Sequence, residues 1–262
     1  MTHEPEHEFK RALLALERER ERAHDYLSYH RHRFQHVLGV CAREVPDARA
    51  SVLDVGPSQL SRMLADRYAD VVTLGLSSGQ WGHERVQGGR EPDGHIEFDL
   101  NECVRTARVP YPRQFDLVVF AETLEHLHAA PELVLRLLRQ LMKPDGVLVC
   151  QTPNAAALHK RVKLALGVHP YERIRIDERN PGHFREYTKA ELLAIAQVSG
   201  FDPVAHEYRD YFGRPARGGP LTALAFALHR VAAAAVPSFR RGQTLVLRRD
   251  DRREREGAEA SV

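Results

Sequence analysis

Cysteine is scarce in this chain. Cys41, Cys103 and Cys150 are the only three among 262 residues, they lie far apart, and no CxxC pair occurs. That excludes a disulfide framework and a thiolate zinc site, so a reducing, cytoplasmic setting is expected. Long apolar runs are missing too. No uncharged stretch reaches the ~20 residues needed to cross a bilayer. The amino terminus interleaves acidic and basic residues where a secretory leader would need an apolar core. Charge of one sign is likewise absent: 38 basic residues against 36 acidic ones leave a net +2, which gives no general pull toward nucleic acid or an anionic membrane. Nor does the first glycine-bearing loop carry a GxGxxG phosphate cradle, which leaves dinucleotide pyrophosphate without a seat and argues against a nicotinamide dehydrogenase.

What the chain does have is length and alternation. At this size an α/β fold is routinely one domain. From Ser51 strands and helices take turns: Val52 to Val55, a helix near Gln59 to Arg67, Val71 to Leu76, Ile96 to Phe98, then Phe115 to Ala121. This alternation predicts a parallel sheet with helices on both faces. Further on, Thr188-Lys189-Ala190-Glu191 reads as a capping box that opens a helix with Leu192, Leu193, Ile195 and Ala196 on its apolar face, ended by Gly200-Phe201. Strands near Pro203 to Tyr208 and Thr244 to Leu247 complete the sheet. Before the first strand, Phe9, Leu13, Leu16, Leu27, Phe34, Val37 and Leu38 recur at roughly helical intervals among Glu, Arg and His. Residues 1–45 are therefore a helical extension that either caps the opening as a lid or packs on the sheet. Residues 46–250 form the main domain with a helical insertion at about 218–238, and 251–262 are a charged, disordered tail. His24, His30, His32 and His36 sit among charges and read as solvated surface histidines.

The richest passage runs from Phe115 to Asn154. Phe115 to Ala121 is almost wholly apolar, as suits a strand covered on both faces. Its exit carries Glu122, Leu124, Glu125 and His126. Pro131 opens a helix on which Leu133, Leu137, Leu138 and Leu141 repeat, Lys143-Pro144-Asp145-Gly146 forces a turn, and Val147 to Cys150 forms the next strand, followed by Thr152-Pro153-Asn154. In this order these motifs resemble the second half of the core of class I S-adenosylmethionine (SAM) dependent methyltransferases, nearest the ubiquinone-type O-methyltransferases, over roughly residues 50 to 210. The resemblance implies a Rossmann-like, seven-stranded α/β sheet whose last strand runs antiparallel, and SAM as cofactor. Val52-Leu53-Asp54-Val55-Gly56 matches the family's glycine loop, so Asp54 and Gly56 are expected at the cofactor. The usual second glycine is replaced within Pro57-Ser58-Gln59, where Ser58 is expected to cap the following helix and leave amides for the cofactor carboxylate. The acidic residue that the family uses on the ribose is also missing; Gly75-Leu76-Ser77-Ser78 offers only Ser77. Asp99 and Leu100 fall at the family's adenine position, unless Asp99 merely caps a loop, and Ala121 and Glu122 complete the expected cofactor contacts.

Glu122, Glu125 and His126 stand at i, i+3 and i+4, so one helical turn would point all three the same way. Two carboxylates and an imidazole suit a divalent cation such as Mg2+, which lowers the pKa of a hydroxyl bound to it. The resemblance implies such a metal group, with His183 in the returning loop as fourth ligand or general base. Glu122, His126 and His183 are thus the candidate catalytic residues, and Glu122, Glu125, His126 and His183 the candidate ligands. The alternative is that Glu125 and His126 only bond neighbouring backbone. The expected reaction is O-methylation of a small hydroxylated molecule such as a quinone precursor, a sugar or a secondary metabolite, without nucleic acid. The competing reading is a methyltransferase fold that has lost catalysis and serves in binding or assembly. Pro220 to Val236 reads as a buried or dimer-forming helix in preference to an interfacial one that meets a lipid-linked acceptor.

Overall fold

The computed structural model describes residues 27–76, 89–109, 111–177, 181–211 and 219–250. Residues 1–26, Ser77 and the tail 251–262 lie outside the described residues, and with them the expectations for the start of the extension, His24, the ribose contact and the tail.

Among the described residues seven strands form one sheet: β1 Ser51–Val55, β2 Asp70–Gly75, β3 Gly94–Glu97, β4 Phe115–Ala121, β5 Met142–Pro153, β6 Phe201–Arg209 and β7 Gly242–Arg249. Their order is β3-β2-β1-β4-β5-β7-β6. β1 to β5 run parallel, whereas β7 is antiparallel to both β5 and β6. This is the Rossmann-like arrangement expected. The chain reverses direction across the sheet between β1 and β4, which opens a crevice beyond their carboxyl ends.

Strand alternation sorts the core into two layers. Val52, Leu117, Val119, Val147 and Val149 face α1 (residues 27–44) and α2 (Gln59–Arg67), where Phe34, Val37, Cys41 and Leu64 meet them. Leu53, Val118, Phe120, Leu148 and Cys150 face the other way, toward Val134, Leu137 and Leu138 of α3 (Pro131–Gln140) and Leu192, Ile195 and Ala196 of α5 (Lys189–Val198). Each fully buried leucine contributes about 1.5–3 kcal/mol, so the two faces together hold the sheet rigid beneath the crevice. Asp116 joins the strand starts: its Oδ2 accepts from Ser51 N (2.9 Å), Ser51 Oγ (2.7 Å) and Lys143 Nζ (2.7 Å).

Three expectations need correction. Lys143 to Gly146 does not interrupt the strand; β5 runs through it, with the extra residues bulging between the pairs Phe115–Met142 and Leu117–Val147. His36 is no surface histidine: it is buried, and its Nδ1 accepts from Arg209 Nη1 at 2.7 Å, because α1 lies against β6. Of the two alternatives for helix α6 (Pro220–Ala235), burial within the chain fails, since Leu224, Leu228 and Val231 are exposed and, among the described side chains, His229 and Ala233 alone are buried. No helix among the described residues is long and apolar enough to cross a membrane.

Candidate active site

At the carboxyl end of β1 the chain must turn sharply, and Gly56 does so with φ +86°. Space dictates glycine here as well, because a Cβ would run into the Thr123 hydroxyl. That hydroxyl bonds the carbonyls of Val55 and Ala121, both at 3.2 Å, and so ties the ends of β1 and β4 together at the crevice. Pro57 packs on Gly75, whose φ of +154° no ordinary side chain adopts readily. Ser58 caps α2 as expected: Ser58 Oγ accepts from Leu60 N (3.2 Å), and Ser61 Oγ accepts from Ser58 N (2.9 Å). Ser61 in turn donates to Asp54 Oδ2 at 2.5 Å. Asp54 is therefore buried beneath the loop and supports it, rather than lining the cavity, and burial raises its carboxyl to about 7.

The exit of β4 departs from a helical turn. Glu122 adopts φ +53°, a left-handed conformation that costs a non-glycine residue about 1–2 kcal/mol. It is held there because its amide still pairs with Gln151 O of β5 at 2.8 Å. The short 3-10 turn Leu124–His126 follows, and the three side chains part company. Glu122 enters the cavity. Glu125 turns inward and is fully buried; its Oε2 accepts from Thr152 Oγ1 at 3.0 Å, while its Oε1 is buried with no partner. His126 donates from Nδ1 to Gly182 O at 2.9 Å, which leaves Nε2 free to accept.

His183 comes back over this group on the loop before α5. Its ring lies 4.8 Å from that of His126, and its Nδ1 donates to Glu186 Oε1 at 3.0 Å, again leaving Nε2 available. Glu125, His126 and His183 can bring one ligand atom each within 4.8 Å of one another; Glu122 is not in that group. Burial, and after it the neighbouring Glu125, raises Glu122 to about 8; burial raises Glu125 to about 7. Burial lowers His183 to about 4, helped by His126 and Lys160.

Gly56, Ser58, Asp99, Leu100, Ala121, Glu122, His126 and His183 all line one cavity of about 560 Å³. Asp99 also accepts from Asn101 N at 2.9 Å, so it both caps the 3-10 turn Leu100–Val104 and faces the cavity. Sequence reasoning missed several lining residues. Tyr29, His30 and Arg33 reach the cavity from α1. Arg33 is 5% exposed, lies over the Phe34 ring, and its buried Nε has no hydrogen-bond partner. Lys160, from α4 (Leu158–Ala165), pairs with Glu186; burial lowers it to about 8. Only the His183 to Glu186 spacing carried a local signal; the rest meet through the fold.

Comparison with known proteins agrees with this fold. Residues 26–206 match the family model described as a methyltransferase domain. A ubiquinone biosynthesis O-methyltransferase of Azoarcus sp. (strain BH72) is 27% identical over 175 residues, covering 62% of this chain and 72% of that protein. The protein of the same name from Ruegeria pomeroyi is 33% identical over 113 residues, covering 42% of this chain and 44% of its own length. The chain thus spans less than half of that relative. Among solved structures, a SAM-dependent methyltransferase from Archaeoglobus fulgidus superposes with TM-score 0.51 at 15% identity, covering 82% of this chain and 93% of that one. A Burkholderia thailandensis 1,6-didemethyltoxoflavin-N1-methyltransferase, solved with S-adenosylhomocysteine (SAH) bound, gives TM-score 0.53 at 14% identity, covering 96% and 93%.

Proposed function

The chain belongs to the class I SAM-dependent methyltransferases, and on that premise we propose that it methylates a hydroxyl oxygen of a small acceptor. One observation carries the reading: a single cavity joins the glycine loop and Asp99-Leu100 to Glu122, His126 and His183. The α2 amino terminus and Arg33 would hold the carboxylate of SAM, and Asp99 and Leu100 its adenine. When bound, SAM would supply the methyl group to an acceptor held beside Glu122, His126 and His183. Holding the two in line supplies much of the acceleration.

The acceptor must also lose a proton. Glu122, raised to about 8, is the stronger base at the site, whereas His183, lowered to about 4, is a hydrogen-bond acceptor that Glu186 holds in one tautomer. Glu122 therefore takes the proton, and His183 Nε2 orients the hydroxyl. The residues also fit a divalent ion: Glu125 has an orphaned buried oxygen, and both imidazoles keep Nε2 free. Glu125, His126 and His183 would hold it, and when bound it would acidify an acceptor hydroxyl. Acceptors delivered from a lipid surface also fit. Leu164, Leu166, Ile174 and Ile176 are exposed beside Arg161, Lys163, Arg173 and Arg175, and co-sedimentation with phosphatidylglycerol vesicles tests this contact.

The reaction is tested with 13C-methyl SAM and a panel of phenols and catechols, reading the product by NMR. A methoxy carbon is expected, and its yield should rise with pH toward about 8 in the wild type but not in Glu122→Gln. Failure of calorimetry to detect SAH binding would replace this reading with a binding or assembly role.

A further inference from the structure

The Thr152-Pro153-Asn154 motif leaves Asn154 without a part in the chemistry above. Asn154 is fully buried and knots three segments together. Its backbone N donates to Arg241 O (2.8 Å), and its Nδ2 donates to Ser238 O and Arg240 O (both 2.8 Å). Its Oδ1 accepts from Ala156 N (2.9 Å), and its carbonyl accepts from Lys160 Nζ (3.1 Å). One residue thereby fixes the start of α4 and the approach to β7 against the exit of β5. Those two segments carry three basic side chains that line the cavity: His159, Lys160 and Arg241.

The acids nearby are already committed. Glu186 pairs with Lys160 and accepts from His183. Asp210 accepts from His229 Nε2 and from the Arg241 amide, each at 2.9 Å. The Arg241 backbone is thus held through both N and O, while its exposed guanidinium makes no hydrogen bond or ion pair among the described residues. His159 Nδ1 is buried without a partner. Burial keeps that imidazole neutral, aided by Arg241, Lys160, Lys163 and His229.

We infer that Arg241 and His159 form an anion subsite, so that the acceptor carries a carboxylate or a phosphate at the end opposite the hydroxyl that is methylated. The word acceptor rests on the proposed reaction, but the subsite does not. An anion seated there accepts from the Arg241 guanidinium and from His159, which its charge converts to the imidazolium form. Neutral phenols of the same shape then bind less well than their anionic counterparts.

The test titrates inorganic phosphate and, separately, acetate into the full-length protein and follows the His159 imidazole by 1H–15N NMR, assigned through its loss in His159→Gln. A saturable shift is expected, and the tighter of the two ions identifies the anion class. In Arg241→Gln the dissociation constant should rise about tenfold, while SAH affinity measured by calorimetry stays unchanged. A linear or absent response up to tens of millimolar, or a response that Arg241→Gln leaves intact, overturns the subsite. Absence of SAH binding in the wild type would instead sink methyl transfer and leave the anion result standing.

Discussion

Replacing Glu122 by glutamine separates the acidity of this carboxyl from its shape. Its proton affinity is raised from 4.5 to about 8, by burial first and then by Glu125. On a sealed group a shift of that size equals about 4–5 kcal/mol. Glu122 is partly open to the cavity, and water there relaxes the penalty, so the expected effect is about 2 kcal/mol. The native state binds this proton more tightly than the unfolded chain does. Its contribution is therefore complete below pH 4.5 and is lost as pH rises through about 8. Glutamine does not titrate, and it inherits the same left-handed backbone, so strain cancels in the comparison. Urea denaturation of both proteins from about pH 4.5 to about pH 8.5 should show the variant gaining about 2 kcal/mol on the wild type across that window. Parallel stability curves would refute the reasoning, because they would mean that Glu122 keeps ordinary acidity in the folded protein.

Gly56→Ala places a Cβ against the Thr123 hydroxyl at a φ of +86°, and should cost about 2–3 kcal/mol in the same assay, with weaker SAH binding in whatever folds. Arg33→Gln, if the guanidinium meets the cofactor carboxylate, should weaken SAH binding about tenfold in calorimetry without lowering the melting temperature; unchanged affinity would remove Arg33 from the cofactor site. Mn2+ titrated into the protein should raise its melting temperature saturably if Glu125, His126 and His183 bind metal, and His183→Gln should abolish the rise. A flat response would leave Glu125 and His126 as partners of Thr152 and Gly182 only.

The fold was legible because its signals are local. Phe115 to Ala121 and Gln59 to Arg67 have the limits read from apolar runs and capping residues, and the Thr188 to Glu191 capping box forms reciprocally. The turn after Ala121 was not legible. Its i, i+3, i+4 spacing suggested a helix, but the Glu122 amide stays in the sheet and Thr123 reaches back to Val55, so the chain kinks instead. Arg33 and Arg241 escaped notice for another reason: each is placed by contacts distant in sequence, and neither belongs to a local pattern. His36 was misread because its charged neighbours hid a burial that only the docking of α1 on β6 creates. Conversely, the Ala- and Leu-rich stretch of α6 suggested a buried or dimer-forming helix, and within the chain the fold leaves Leu224, Leu228 and Val231 exposed.

The position of β7 between β5 and β6 also sets the timing of assembly. As the nascent chain lengthens, β5 has β4 on one side but an open, hydrogen-bonding edge on the other until Gly242 to Arg249 has been made. At about 5–20 residues per second, the roughly hundred residues after Pro153 leave that apolar edge bare for about 5–20 s. Shortening the protein ahead of Gly242 would make the exposure permanent, turning a transient aggregation hazard into the resting state of the molecule.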